Sequence, residues 1–207
     1  MRIGSALLFV VCVPLLGRAQ STGDSLNLAG RSNIVLGIGL TGARSATASP
    51  DLQSTHTTGE VGSFAFTHWV RPEIAVLVST SVLNADATTS GGNAHTNVIT
   101  PILFGVSYSP RAVALTSSLR PFVSAAVGPY VHTVSDAGTN TASSSTESVA
   151  GARFAAGTNW FVARHFMLSL EGDYHAVGRF SRQDAATSKA SGLGLSFGLG
   201  FTWGGKY

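Results

Sequence analysis

The segment Gly192–Trp203 reads GLGLSFGLGFTW and alternates strictly between large and small residues. Its odd positions are large and apolar, and its even positions are glycine, serine or threonine. A period of two predicts a β-strand with two different faces. In a water-soluble sheet, the face turned away from the core usually carries charged or long polar side chains. The nearly bare second face of this strand therefore needs another explanation.

Charged residues are scarce along the whole chain. Lys, Arg, Asp and Glu make up 11% of the 207 residues, whereas soluble domains contain about 25%. The hydrophobic fraction of 44% is ordinary, and the chain contains 24 glycines. Small residues, and not additional apolar ones, therefore take the place of the missing charges.

The first 19 residues have the pattern of a secretory signal peptide. Arg2 precedes an apolar run at 3–16, and small residues occupy the −3 and −1 positions before Gln20. The run is shorter than the roughly 20 residues of a membrane-spanning helix. We expect cleavage before Gln20, which also removes the only cysteine, Cys12. It removes two of the 13 Lys and Arg residues and no acidic residue, so the mature chain is nearly neutral and nucleic acid is not an expected partner.

Strand-like alternation recurs along the rest of the chain, and short connections alternate with long polar ones. The eight predicted strands are 33–44, 58–69, 73–85, 97–108, 121–134, 149–160, 166–177 and 192–203. The short connections are 70–72, 109–120 and 161–165, and the long ones are 45–57, 86–96, 135–147 and 179–190. This pattern is typical of an all-β, eight-stranded, antiparallel up-and-down transmembrane β-barrel. We expect a barrel domain at 33–207 after a periplasmic leader at 20–32.

Aromatic residues concentrate where the even-numbered strands reach the short connections. We predict that Trp69, Tyr108, Trp160 and Trp203 form a girdle at a membrane interface, because indole and phenol rings favour that layer. Phe122 and Phe166 open strands at the same end, and Tyr130, Tyr174 and Phe180 suggest a thinner girdle at the other end.

A barrel in a membrane explains the opening segment. We predict that its bulky residues face lipid: Leu193, Leu195, Phe197, Leu199 and Phe201. The small residues between them would face a lumen that is only wide enough for side chains to fill.

Three stretches carry a resemblance to a known family: RPFVSAAVGPYV at 120–131, GARFAAGTNWFVARHFMLSLEGDYHAVG at 151–178, and GLGLSFGLGFTW at 192–203. They resemble the small outer-membrane β-barrel family typified by the OmpA membrane domain, OmpX and OmpW. The resemblance implies the bacterial outer membrane as location, and contact with outer-membrane lipid and lipopolysaccharide. It also implies recognition of the last strand by the outer-membrane assembly machinery, with either Trp203 or Tyr207 as the terminal aromatic signal. We expect a monomer.

Charged residues on the predicted inner face define a candidate site. With the apolar residues of 166–177 turned outward, Glu171, Asp173 and His175 face inward, and the same phase turns Arg153 inward. We predict a polar network of these four side chains that plugs the lumen, so that the protein has a structural or surface-interaction role. The alternative is a narrow channel or a conduit for small or hydrophobic solutes, as in the OmpW group. A third hypothesis is a soluble, lipocalin-like barrel with its apolar residues pointing inward.

Catalysis is not expected. The histidines of the mature chain lack the His-x-Ser pattern of lipid A deacylase barrels, and the only Asp-Ser pair of the palmitoyl-transfer type is Asp24–Ser25, in the leader. Asp173 and His175 have no third ligand that would indicate a metal site. We therefore expect no cofactor and no metal.

Overall fold

The computed structural model describes residues 27–41, 60–90, 93–111, 116, 118–137, 142–181 and 191–205. The predicted signal peptide, most of the predicted leader and the 45–57 connection lie outside these residues. The described chain forms nine strand segments: β1 Arg31–Thr41, β2 Glu60–Trp69, β3 Ile74–Ser81, β4 Asn84–Ser90, β5 Asn93–Tyr108, β6 Leu119–Ala137, β7 Ala142–Phe161, β8 Phe166–Val177 and β9 Gly192–Gly204.

Antiparallel pairing closes these strands into a barrel. The first strand pairs with the last, with Ile34 opposite Phe201, and β3 pairs with β5, with Val78 opposite Phe104. Segments β3 and β4 follow one another along the same neighbour, β5, and are separated by a short interruption. The nine segments therefore make eight barrel strands, which confirms the predicted all-β up-and-down fold. No helix among the described residues is both long and apolar enough to cross a membrane.

Two predicted loops are partly strand, which corrects the boundaries expected from composition. The β4–β5 ladder continues to Ser90 opposite Asn93, and the β6–β7 ladder continues to Ala137 opposite Ala142. The backbone groups make the hydrogen bonds of an antiparallel ladder, so a hairpin can form without an alternating apolar pattern. The Ser- and Thr-rich composition of 86–96 and 135–147 therefore hid strand structure, although Thr favours strands.

The outer face of the barrel is apolar around its circumference. The exposed large hydrophobic side chains come from every part of the barrel wall: Leu36, Ile38, Leu40, Phe64, Val76, Val78, Ile102, Phe104, Val106, Val123, Val127, Phe154, Leu170, Leu193, Leu195, Phe197, Leu199 and Phe201. Along β3 the exposed and buried residues alternate one by one. The outward side chains thus form the apolar belt, and the side chains that alternate with them fill the interior.

The interior contains two apolar clusters. One consists of Leu77, Leu83, Ile99, Leu103, Ala126, Tyr130 and Phe180 and packs along the inner side of β3 to β6. The other, which we call the floor cluster, consists of Leu28, Trp69, Ala75, Phe161 and Met167 and lies at the end of the barrel that carries the short connections. This short-turn end is therefore filled by side chains.

The bare face of β9 accommodates side chains from its neighbours. A Cβ atom added at Gly198 would lie 2.5 Å from Cγ1 of Val35, and one added at Gly200 would lie 2.5 Å from Cγ of Met167. Glycine at these positions leaves the interior volume to Val35 on β1 and Met167 on β8. The one-sided bulk of the strand is thus a packing requirement of a narrow barrel.

Candidate functional site: the barrel lumen

The four predicted network residues meet on the inner faces of β7 and β8. Register places Arg153 opposite His175, and Asp173 and Glu171 follow at alternate positions of the same ladder. The Nε group of Arg153 donates to Oδ2 of Asp173 at 3.0 Å, and its Nη2 forms an ion pair with Oε1 of Glu171. The three side chains are only 11% to 16% exposed. One guanidinium thus bridges two carboxylates inside the barrel.

His175 links this ion-pair cluster to β6, one strand beyond β7. Its Nε2 lies 3.4 Å from Oδ2 of Asp173, and its Nδ1 lies 2.9 Å from the hydroxyl of Tyr130 on β6. The same hydroxyl donates to the carbonyl of Ala152 at 3.2 Å. The phenol thus lies between the imidazole of His175 and the backbone of β7. The network therefore includes Tyr130, which sequence reasoning had placed in an outer girdle.

A second buried polar pair was not predicted. Nε2 of His132 on β6 is hydrogen-bonded to Oδ1 of Asn97 on β5. The His132 ring makes an edge contact with Phe180, at 5.2 Å between ring centroids. Both His132 and Asn97 are buried. Strand parity was the available signal, since His132 shares the inner face with Tyr130.

A cavity of about 110 Å³ runs beside the ion-pair cluster. Its lining extends from Asn33 and Trp69 near the short-turn end to Gly39 and Ser81 near the other end, and Arg153 contributes to its wall. This volume accommodates several water molecules. The ion-pair cluster therefore lies against one side of the lumen and leaves space between β7–β8 and the glycine-rich β1–β9 wall.

The prediction that Trp69 belongs to the outer girdle is wrong. Its side chain is 1% exposed and lies in the floor cluster with Leu28, Phe161 and Met167. The outward residues of β2 include Phe64, so the odd-numbered Trp69 must point inward because successive side chains alternate. The parity of Trp69, and not its position at the end of β2, determines the face that it occupies. The floor cluster, which no sequence pattern revealed, closes the cavity at the short-turn end.

The other predicted aromatics divide between the two faces. Tyr108, Trp160 and Trp203 point outward and are 37% to 49% exposed, and Phe166 and Tyr174 are also exposed. In contrast, Phe122, Tyr130 and Phe180 are buried inside, which corrects their assignment to the girdles. Phe122 and Tyr130 point inward by the alternation of β6. Phe180 follows β8 and packs against His132 inside the barrel.

The predicted lipid-facing residues of β9 all lie on the outer face. Leu193, Leu195, Phe197, Leu199 and Phe201 are 47% to 68% exposed. Their phase is the one expected for a membrane barrel and opposite to the phase required by a lipocalin-like barrel. Their contact with lipid stays a prediction.

The lumen holds paired charges. Within the described ranges, no cluster of three or more His, Cys, Asp or Glu side chains has the arrangement of a metal site. Arg153 occupies the position between Glu171 and Asp173 that a cation would take. The guanidinium pairs with both carboxylates through Nε and Nη2, and these contacts stabilise one side-chain arrangement, as buried charges require.

A closed, eight-stranded antiparallel barrel with an apolar outer belt and a narrow lumen filled by side chains is the architecture of the small outer-membrane β-barrels. Solved structures of that class match this chain. Neisserial surface protein A matches with a TM-score of 0.53 and 10% identity, over 83% of this chain and 94% of that one. Ail of Yersinia pestis, in complex with the heparin analogue sucrose octasulfate, matches with a TM-score of 0.52 and 9% identity, over 84% and 99%.

OprG from Pseudomonas aeruginosa, an outer-membrane protein, matches with a TM-score of 0.51 and 11% identity, over 86% of this chain and 97% of that one. At these identities the likeness concerns the fold alone. No protein-family model and no curated protein matches the sequence. The chain therefore has the fold of the small outer-membrane barrels, and its role has to be argued from its own residues.

Proposed function

We propose that the protein is an integral outer-membrane β-barrel with a closed lumen and a structural or surface-interaction role. The observation that carries this proposal is the outer face of the barrel wall, which is a belt of large apolar side chains, while the charged residues of the ion-pair cluster lie inside. An exposed apolar belt of this extent is unfavourable in water. Large apolar patches of this kind mark interaction surfaces. In a bilayer the same belt is solvated by hydrocarbon, and the closed sheet leaves no unpaired edge in it.

The floor cluster supports a closed lumen. Trp69, Phe161 and Met167 fill the short-turn end with apolar side chains, and each is at most 7% exposed. The ion-pair cluster alone would leave the cavity beside it open. Hydrated solutes would have to displace the floor cluster to pass, so we propose that the floor, and not Arg153, is the barrier.

Two measurements test membrane insertion. The protein expressed with its predicted signal peptide should fractionate with the outer membrane, and its folded form should migrate faster than the boiled form on a detergent gel. Leu199→Arg places a charge on the outer face and should reduce the folded band, whereas Ser196→Thr, on the inner face of the same strand, should not. Recovery of folded wild-type protein in the aqueous fraction would contradict the proposal.

Planar-bilayer conductance tests the closed lumen. Wild-type protein should give silent traces, and Arg153→Ala should also remain silent because the floor cluster persists. The double variant Trp69→Ala with Met167→Ala removes two floor side chains and should give discrete current steps. Steps from the wild type, or steps from Arg153→Ala alone, would contradict the assignment of the barrier to the floor.

The lumen cavity favours a second candidate function, a narrow conduit for small solutes. Its wall combines the ion-pair cluster with serine and glycine positions on β1, β2 and β9. Uptake of a small neutral solute by vesicles that contain the wild-type protein would support this candidate. Equal uptake by protein-free vesicles would support the closed barrel.

The remaining parts of the proposal concern export and partners. We propose that the first 19 residues are cleaved, that β9 is recognised by the outer-membrane assembly machinery, and that the mature monomer contacts outer-membrane lipid and lipopolysaccharide. The alternating, apolar outer face of β9 supports assembly through the last strand. Mass determination of the mature protein tests cleavage, with Gln20 as the expected first residue.

A further inference from the structure

Each short connection of the barrel carries one exposed arginine. Arg71 lies in the turn between β2 and β3, Arg111 lies between β5 and β6, and Arg164 lies between β7 and β8. These turns belong to separate hairpins that are distributed around one end of a closed barrel. We call this set of three residues the arginine rim.

The charge of the barrel is distributed unevenly between its two ends. Among the described residues, the short-turn end carries five arginines and one acid, Glu73. The described residues at the opposite end include one arginine, Arg179, and four acids: Glu60, Asp86, Asp136 and Glu147. Glu73 accepts a hydrogen bond from the backbone amide of Arg111 at 3.2 Å. The short-turn end is thus positively charged, although the whole chain is nearly neutral.

Outward-facing aromatic residues lie close in sequence to two of the three arginines of the rim, Arg111 and Arg164. Tyr108 ends the strand that leads to Arg111, and Trp160 and Phe166 lie on either side of the turn that carries Arg164. All three rings are exposed on the outer face. In a membrane, rings of this kind lie at the level of the headgroups. The guanidinium groups in the adjoining turns then lie close to the phosphate layer.

We propose that the arginine rim binds the headgroups of anionic phospholipids in the leaflet at the short-turn end. The proposal rests on the proposed membrane function and goes beyond it by naming the lipid class and the residues. A guanidinium presents a planar fork of donors that matches a phosphate group, and it keeps its charge at all physiological pH values. The three arginines on separate turns would hold three headgroups around the barrel, which fixes its depth in the bilayer.

Lipid selectivity in reconstituted vesicles tests this proposal. Folded protein in phosphatidylcholine vesicles receives a trace of spin-labelled phosphatidylglycerol or spin-labelled phosphatidylcholine, and electron spin resonance gives the relative association of each lipid with the barrel. We expect a preference for phosphatidylglycerol of about fivefold at each arginine site at low salt. The preference should decrease as salt screens the charges.

A matched pair of variants locates the preference. Arg71→Gln, Arg111→Gln and Arg164→Gln together should reduce it to near one. Arg44→Gln, Arg179→Gln and Arg182→Gln remove the same charge outside the short connections, and this variant should retain the preference. If the first triple variant does not fold, Arg71→Gln alone should remove about a third of the preferential sites.

The outcomes separate this proposal from the one on which it rests. A heat-dependent shift on the gel with no preference for phosphatidylglycerol would overturn the lipid-binding proposal while leaving the membrane barrel intact. An equal loss of preference in both triple variants would also overturn it, because the effect would then follow net charge and not the arginine rim. Failure of the wild type to insert into any vesicle would instead contradict the proposed membrane function.

Discussion

Removing Arg153 should destabilise the barrel more than removing the whole ion-pair cluster. The Nε group of Arg153 lies 3.0 Å from Oδ2 of Asp173, a distance at which two unit charges attract by roughly 5 kcal/mol for an effective dielectric constant near 20. Desolvation offsets much of that attraction. Arg153→Met leaves Glu171 and Asp173 unneutralised in a mostly buried site, and breaking a buried pair in this way costs about 3–5 kcal/mol.

The matched variant neutralises all three members. Arg153→Met combined with Glu171→Gln and Asp173→Asn leaves no charge at the cluster, so its free energy of unfolding should lie close to that of the wild type. Urea titration of the protein in micelles, followed by tryptophan fluorescence, measures both values. A triple variant that is as unstable as Arg153→Met would show that packing, and not charge, dominates the site and would refute this reasoning.

Three further predictions concern which face each residue occupies. Gly200→Val should lower the free energy of unfolding by about 1–3 kcal/mol, because the new side chain overlaps Met167. Gly194 lines the cavity, so Gly194→Val should have little effect. Equal losses in urea titration would contradict the packing described for β9. Trp69→Ala should cost about 3–5 kcal/mol as a buried aromatic truncation, and the half-exposed Trp160→Ala should cost less; the reverse order would return Trp69 to the outer face. Phe197→Arg should cost about 2–4 kcal/mol in a bilayer, measured by refolding yield in vesicles, and an unchanged yield would be inconsistent with a lipid-facing position.

The sequence was most informative where a single strand has two contrasting faces. The alternation in β9 predicted both its strand structure and the outward phase of Leu193 to Phe201, because the two-residue period leaves no other arrangement. The ion-pair cluster was also predictable, since Arg153, Glu171 and Asp173 share the inner phase of adjacent strands. Antiparallel hairpin register then brings them together.

The sequence was least informative about contacts across the barrel. The floor cluster joins Leu28, which precedes β1, to Trp69 on β2 and Met167 on β8, and no local pattern relates these positions. Trp69 itself could have been assigned correctly, because its parity differs from that of Phe64. The strands within 86–96 and 135–147 were missed because a polar hairpin has no apolar period to reveal it.

Oxygen accessibility along β9 tests the central claim most directly. Single cysteines at positions 193 to 203, in the chain that begins at Gln20 and so lacks Cys12, would carry nitroxide labels in phospholipid vesicles. We expect accessibility to dissolved oxygen to be high at odd positions and low at even ones, as for side chains that alternate between hydrocarbon and a filled lumen. High values at Ser196 and Gly198 with low values at Phe197 and Leu199 would contradict the outward phase, and with it the membrane barrel.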